Sequence, residues 1–342
     1  MLTVLNIAYP LAPVGPDAVG GAEQVLTAID QALVTAGHRS LVVACEGSVT
    51  AGTLHPVPPP PTGEIGPETR AQAHAAVRQA IARVIGDVDL VHLHGVDFHA
   101  YLPPPDKPAL VTLHLPPDWY PPHALRPDRP RTWLNCVSQS QQLACPDTAP
   151  LVPPIGNGVP VEALAAIRPP CAGHALMLGR ICPEKGQHLG LLAARAAGVP
   201  LLLAGDVFPY PEHRAYFEDS VRPLLDGERR YLGPVGFACK RSLLASARCL
   251  LVPSLAAETS SLVAMEALAC GTPVIAFRSG ALPETVEDGM TGILVDGVDA
   301  MAEAIGRVET IDRDTCRRRS AERFPLRRMT DAYLALYGQL AA

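Results

Sequence analysis

The sequence predicts an α/β protein built of two doubly wound, parallel-sheet domains. Three observations carry that expectation: a length of 342 residues, strand-like and helix-like segments that alternate through both halves, and a proline-rich break between them. A single core stops growing at about 250–300 residues, so a chain of this length divides. Short β-branched runs alternating with helical segments are the pattern of βαβ units on a parallel sheet. At residues 150–172, Pro150, Pro153, Pro154, Pro160, Pro169 and Pro170 surround Gly156-Asn157-Gly158, a composition that suits a linker. The expected division is 1–165, 166–325 and a terminal helix at 326–342.

In the first domain, residues 2–8, 41–44, 90–93, 109–113 and 133–137 read as strands, and residues 22–36 and 68–85 have helical spacing. Pro56, Pro58, Pro59, Pro60 and Pro61 read as a proline-rich loop, and residues 116–130 as another. In the second domain the strands are expected at 175–178, 200–204, 249–252 and 273–276, each followed by a helix. The final helix, 326–340, has Met329, Tyr333, Leu336 and Tyr337 on one face and is expected to pack back on the first domain. Two facing domains of this kind place the carboxyl ends of both sheets at a cleft, where such folds bind ligands. Functional residues are therefore sought on the loops that follow strands.

Composition narrows the function classes. Residues 1–165 carry 14 acids against 8 bases while residues 166–342 carry 20 of each, and an acidic first half argues against nucleic-acid partners and broad attachment to anionic lipid. No stretch reaches the ~18 apolar residues a membrane span needs, and residues 1–8 lack a signal peptide's basic flank, so a cytoplasmic location without integral membrane contact is expected. Nine cysteines show no C-x-x-C pair and no His at ligand spacing. Neither a disulfide framework nor a metal site is expected. Of 28 basic residues only Lys107, Lys185 and Lys240 are lysine, which singles each of them out.

Four places carry chemistry. The loop at residues 9–19 ends in Gly20-Gly21-Ala22-Glu23 and opens into a helix, where glycines free backbone N–H groups to approach an anion. The pattern is neither G-x-G-x-x-G nor G-x-x-x-x-G-K-[ST], which argues against a nicotinamide dehydrogenase or a P-loop enzyme. Residues 179–186, GRICPEKG, place Arg180 and Lys185 on either side of Pro183, a planar fork and a point charge suited to one diphosphate. Two solvated surface charges are the alternative. Residues 258–274, ETSSLVAMEALACGTPV, put Glu258 in a loop and Glu266 two turns into the next helix. Both carboxylates suit vicinal hydroxyls, and Thr259, Ser260 and Ser261 offer an N-cap with exposed N–H groups. Apolar neighbours on both sides of Glu266 mean that its carboxylate needs a partner. Finally, His92, His94, His99 and His114 stand at or near strand ends. His92 and His99 read as structural hydrogen-bonders, and His114 as the candidate for the cleft.

Together these motifs resemble the retaining glycosyltransferases of family 4, which have the GT-B fold. The resemblance runs from Gly20-Gly21 through His114, Asn157-Gly158-Val159 and residues 179–186 to residues 258–274 and the last helix. Its most specific element is the pair of glutamates eight apart, followed by Ala267-Leu268-Ala269-Cys270-Gly271-Thr272-Pro273. It implies that Arg180, Lys185, Gly20, Gly21, Ser261 and Leu262 bind the donor diphosphate. Glu258, Thr259, Ser260 and Glu266 would then bind the donor sugar and nucleotide, Glu258 the transferred sugar and Glu266 the ribose. His114 and Glu258 would act at the reacting carbon, with Asn157 and Gly158 at the interdomain joint. Most members have a large apolar residue and a glycine where this chain has Ser260 and Ser261, so donor-sugar geometry is where the chain is expected to differ.

The implied reaction moves a sugar from a nucleotide-sugar donor to a small-molecule or oligosaccharide hydroxyl with retention, and needs no cofactor or metal. Short length and an Arg-rich, Lys-poor composition fit a high-GC bacterial source, where such enzymes decorate antibiotics or polysaccharides; the avilamycin (orthosomycin) type is one such setting. The rival readings are a nucleotide-sugar epimerase, which needs no acceptor, a sugar phosphorylase, which needs free phosphate, and a non-catalytic nucleotide-sugar binding partner.

Overall fold

Parallel strands alternating with helices build both halves of the chain. In a computed structural model, which describes residues 1–59 and 65–341, the chain divides into two compact units, Met1–Asn157 with Arg327–Ala342, and Gly158–Leu326. The division falls inside the proline-rich break, ahead of residue 165, because Val161 and Leu164 of the short helix Val161–Ala165 are buried in the second unit's core.

The first unit holds six parallel strands: β1 Thr3–Ile7, β2 Arg39–Cys45, β3 Thr53–Val57, β4 Leu90–Leu93, β5 Ala109–Leu113 and β6 Thr132–Cys136. Their order is β3-β2-β1-β4-β5-β6. The second unit repeats the pattern with β7 Ala175–Leu178, β8 Leu201–Ala204, β9 Arg229–Tyr231, β10 Cys249–Val252, β11 Val274–Phe277 and β12 Gly292–Val295, ordered β12-β11-β10-β7-β8-β9. In each unit the chain starts at the middle of the sheet, winds to one edge, crosses back and winds to the other. The winding reverses between β1 and β4 and again between β7 and β10, and at such switch points the loops leaving the strands diverge and open a crevice. The central strands are buried along nearly their whole length, as expected where helices cover both faces.

Three strands missing from the sequence reading, β3, β9 and β12, are all at sheet edges. Pro56, read as loop, lies in β3, where only β2 pairs with it; an edge position tolerates the missing N–H. Pro60 and Pro61 lie outside the described residues. Among the described residues no helix is long and apolar enough to cross a membrane.

The helix Leu326–Leu340 explains why three buried strands carry polar residues. His92, Thr112 and Asn135 are fully buried on β4, β5 and β6. Tyr337 Oη lies 2.6 Å from His92 Nδ1, Tyr333 Oη lies 3.1 Å from Thr112 Oγ1, and Asn135 Nδ2 donates to Tyr333 Oη at 2.9 Å. Thr112 also meets His92 Nε2 at 2.8 Å. A satisfied network of this kind fixes the helix's register, because an unpaired buried polar group costs about 1–3 kcal/mol.

Candidate functional site

In the second unit, the two loops that flank the switch point are residues 179–186 after β7 and residues 253–261 after β10. The first turns through a short 3₁₀ segment, Pro183–Lys185, and ends at Gly186, whose φ of +62° caps the helix Gln187–Ala196. A side chain at Gly186 would run into the Pro253 carbonyl, so glycine lets the two loops touch. The Glu184 carbonyl then accepts the N–H groups of Leu255 and Ala256, at 2.8 and 3.2 Å. From the other side, Gly280 (φ +55°) packs against the Glu258 backbone, and the Glu258 carbonyl accepts from Ala281 N at 2.6 Å. The backbone bearing Glu258 is thus held on two sides.

This bracing brings Lys185 Nζ to 2.6 Å from Glu258 Oε1, and Ser254 Oγ donates to the same oxygen. The Glu258 side chain is 8% exposed and that of Lys185 35%. Burial pushes the Glu258 carboxyl up, but Lys185, Ser254 and the nearby charge of Arg180 outweigh it and hold the group below the usual carboxylate range. The site therefore keeps a buried carboxylate ionised. Arg180 places its guanidinium over the Phe208 ring, 5.7 Å from the centroid.

The second predicted carboxylate has a lysine of its own. Glu266, on the helix Leu262–Ala269, is 5% exposed at the side chain and lies 2.5 Å from Lys240 Nζ, which reaches it from the helix Phe237–Ser246. Here burial outweighs the lysine and leaves the Glu266 carboxyl above its ordinary value. Lys240 was not among the expected site residues. The signal that marks it is scarcity: two of the chain's three lysines pair with the two glutamates of the motif. The third, Lys107, donates to the carbonyls of Gly86 and Val88 and holds a loop.

Ser261 takes the N-cap position of Leu262–Ala269, yet its side chain makes no capping bond. The expected side-chain cap is absent, and the Ser260 hydroxyl is buried without a hydrogen-bond partner among the described residues. The first-turn N–H groups, including that of Leu262, thus have no side-chain acceptor from Ser261. Thr259 precedes them on the same loop.

In the first unit, Gly20 is the N-cap of the helix Gly21–Thr35 and has no side-chain capping bond. The buried Glu23 carboxylate folds back over Gly20. That carboxylate leaves no room for a side chain at Gly20. At the ends of β4 and β5, His94 Nδ1 and His114 Nε2 are 3.1 Å apart with stacked rings. Burial lowers the His114 pKa to about 3 and that of His94 well below the ordinary value, so both are neutral. His94 Nε2 is buried with no partner among the described residues. His92 is locked into the tyrosine network, and His99 packs edge-on against His123. Tyr120 is buried, and its hydroxyl accepts the N–H groups of His114 and Leu115, whereas Trp119 is 40% exposed. Asn157 closes the first unit with its Oδ1 buried and unpartnered.

Residues 19–145 match the family described as Glycosyltransferase Family 4, and residues 172–310 match the family described as Glycosyl transferases group 1. The chain is 38% identical over 138 residues to the D-inositol 3-phosphate glycosyltransferase of Saccharomonospora viridis, covering 38% of this chain and 31% of that protein. It is 35% identical over 172 residues to its counterpart from Mycolicibacterium smegmatis, covering 47% and 39%. The matched stretches thus span well under half of those relatives' own length. Among solved structures, AviGT4, a glycosyltransferase involved in avilamycin A biosynthesis, aligns over 100% of this chain and 98% of its own at TM-score 0.73 and 24% identity. Sucrose-phosphate synthase from Thermosynechococcus elongatus aligns over 99% of both chains at TM-score 0.79 and 21% identity. HepE from Anabaena, in complex with UDP and glucose, aligns over 99% and 100% at TM-score 0.76 and 20% identity. These structural likenesses show the GT-B fold, and the two family matches fall one on each unit, the first unit similar to Glycosyltransferase Family 4 and the second to the group 1 glycosyl transferases.

Proposed function

We propose that the chain transfers a sugar, with retention, from a nucleoside-diphosphate sugar to a hydroxyl of a small-molecule or oligosaccharide acceptor. The observation that carries this reading is the pair of buried carboxylates beside the second unit's switch point, each held by its own lysine. Glu258, kept ionised, accepts hydrogen bonds from hydroxyls of the transferred sugar. Glu266, held by Lys240, accepts from the ribose. Lys185 and Arg180 meet the diphosphate, joined by the N–H groups at Ser261 and Leu262. As the glycosidic bond breaks, negative charge grows on the leaving diphosphate, and preorganised donors are worth most at that point. The acceptor hydroxyl attacks on the face the diphosphate leaves, and a phosphate oxygen takes its proton. No metal is assigned to this step, since cationic side chains and helix amides supply the positive charge. His114 serves as a neutral hydrogen-bonding group toward substrate hydroxyls.

A bacterial antibiotic or polysaccharide pathway remains the proposed setting. AviGT4, described as involved in avilamycin A biosynthesis, and the D-inositol 3-phosphate glycosyltransferases together support a glycosylated small molecule as product. Incubation with a panel of nucleotide sugars and hydroxylated acceptors tests the reaction. The expected result is acceptor-dependent release of nucleoside diphosphate and a product with the donor's anomeric configuration. Inverted product, or isomerised donor formed without acceptor, would overturn the reading.

Lys240→Met is expected to weaken donor binding at least about tenfold, because it strips the ribose carboxylate of a charge-assisted bond, and to leave the rate at saturating donor nearly unchanged. A loss confined to kcat would contradict the ribose assignment.

A further inference from the structure

The loop that carries Arg180 and Lys185 also carries a cluster that the transfer reading does not use. Cys182, Glu184 and His213 bring one ligand atom each, a thiol sulfur, a carboxylate oxygen and an imidazole nitrogen, to within 4.8 Å of one another. No sequence spacing marks them, since His213 comes from the separate helix Pro211–Tyr216 and meets the other two only in the fold. Cys182 is 1% exposed, whereas Glu184 and His213 are half-buried and leave the cluster open to solvent on their side. The Nδ1 atom of His213 is buried with no hydrogen-bond partner among the described residues, an unmet polar group of the kind that calls for an explanation.

We propose that Cys182, Glu184 and His213 form a binding site for a zinc-class divalent cation. One sulfur, one nitrogen and one oxygen donor are the set that borderline-soft Zn²⁺ accepts, and three protein ligands leave a fourth tetrahedral position for water. At the usual bond lengths a tetrahedral centre spaces its donors by about 3.5 Å, so the cluster closes by a side-chain movement of roughly an ångström. The half-buried Glu184 and His213 can make that movement.

Charge and protonation fit an ion. Burial lowers the His213 pKa, with the charge of Arg180 adding to the effect, so the imidazole is neutral and its lone pair is available. Burial likewise pushes the Cys182 thiol up to about 11, so the metal-free site holds a thiol. Binding forms a metal–thiolate bond and releases the thiol proton to solvent. Thiolate and carboxylate then balance the ion's two positive charges beside Arg180 and Lys185. An occupied site ties the loop at residues 179–186 to the helix Pro211–Tyr216 and stiffens the segment that presents Lys185. The proposal stands apart from the transfer reading, because an ion binds here whether or not sugar is transferred.

The test is a titration of the reduced, full-length chain with Co²⁺ and no donor present, followed by displacement with Zn²⁺. One equivalent should give a thiolate-to-cobalt charge-transfer band that zinc abolishes. Cys182→Ala and His213→Ala should each remove the band, and Glu184→Gln should weaken Co²⁺ affinity at least about tenfold, with circular dichroism confirming the fold. Cys171 and Cys239, the two exposed cysteines, provide the control, and Cys171→Ala/Cys239→Ala should retain the band. No band in the wild type, or a band that survives Cys182→Ala and disappears with Cys171 and Cys239, would overturn the proposal.

Discussion

Lys185→Met is expected to lower the rate of transfer at saturating donor by about 10²–10³-fold, the usual consequence of removing one preorganised charge from a leaving group. It should also destabilise the free protein. The Glu258 carboxylate is 8% exposed at the side chain, and a buried charge that loses its partner costs about 3–5 kcal/mol. The reverse substitution behaves differently. Glu258→Gln leaves Lys185, 35% exposed, to be hydrated by solvent, so its stability loss should be clearly smaller while activity still falls. Combining the two substitutions should recover most of the stability and none of the activity. Urea unfolding of the two single variants and the double variant, alongside single-turnover rates, separates the effects. Equal destabilisation by the two single changes would contradict the burial asymmetry on which the argument rests.

The second large effect is acid destabilisation of the first unit. His92, His94 and His114 are buried and neutral, with pKa values depressed mainly by burial, that of His114 to about 3. In the unfolded chain each takes up a proton below its ordinary value of about 6.5. The unfolded state then binds more protons than the folded one, so stability is full above that pH and is lost as pH falls through it. Each histidine contributes a slope of up to about 1.4 kcal/mol per pH unit below 6.5, continuing for His114 toward pH 3. Glu266 works in the opposite sense, because burial raises its pKa, but it is one group against three. Urea midpoints between pH 7 and 5 should fall steeply, and His114→Asn should flatten the slope. A midpoint independent of pH across that window would contradict the neutral, buried histidines.

Buried and repetitive features were legible in the sequence. The strands at 90–93, 109–113, 175–178 and 249–252 coincide with β4, β5, β7 and β10, because central parallel strands are continuous apolar runs between turn residues. The strands that went unread, β3, β9 and β12, lie at edges, where Pro56, Arg229-Arg230 and Gly292 break the apolar pattern and where unpaired backbone is best protected by such residues. Within the site, Glu258, Glu266 and Lys185 stood out by motif and by the scarcity of lysine. Their pairing did not, since Lys185 meets Glu258 only once the loops after β7 and β10 touch in the fold, and Lys240 meets Glu266 only once the helices on either side of β10 pack together. His213 was hidden for the same reason. Of the polar residues on β4, β5 and β6, His92 was legible as a structural hydrogen-bonder, whereas Thr112 and Asn135 were opaque until Tyr333 of the last helix supplied their partner.

The central claim is that the second unit binds a nucleoside diphosphate through Lys185 and through Glu266, held by Lys240. Calorimetric titration of the full chain with UDP, GDP, dTDP and ADP tests it most directly, run in parallel on wild type, Lys185→Met and Glu266→Gln. One of the four is predicted to bind saturably at one site per chain, with both variants at least about tenfold weaker, a difference of about 1.4 kcal/mol or more in binding free energy. No saturable binding by any of the four, or binding that both variants leave unchanged, would contradict the account.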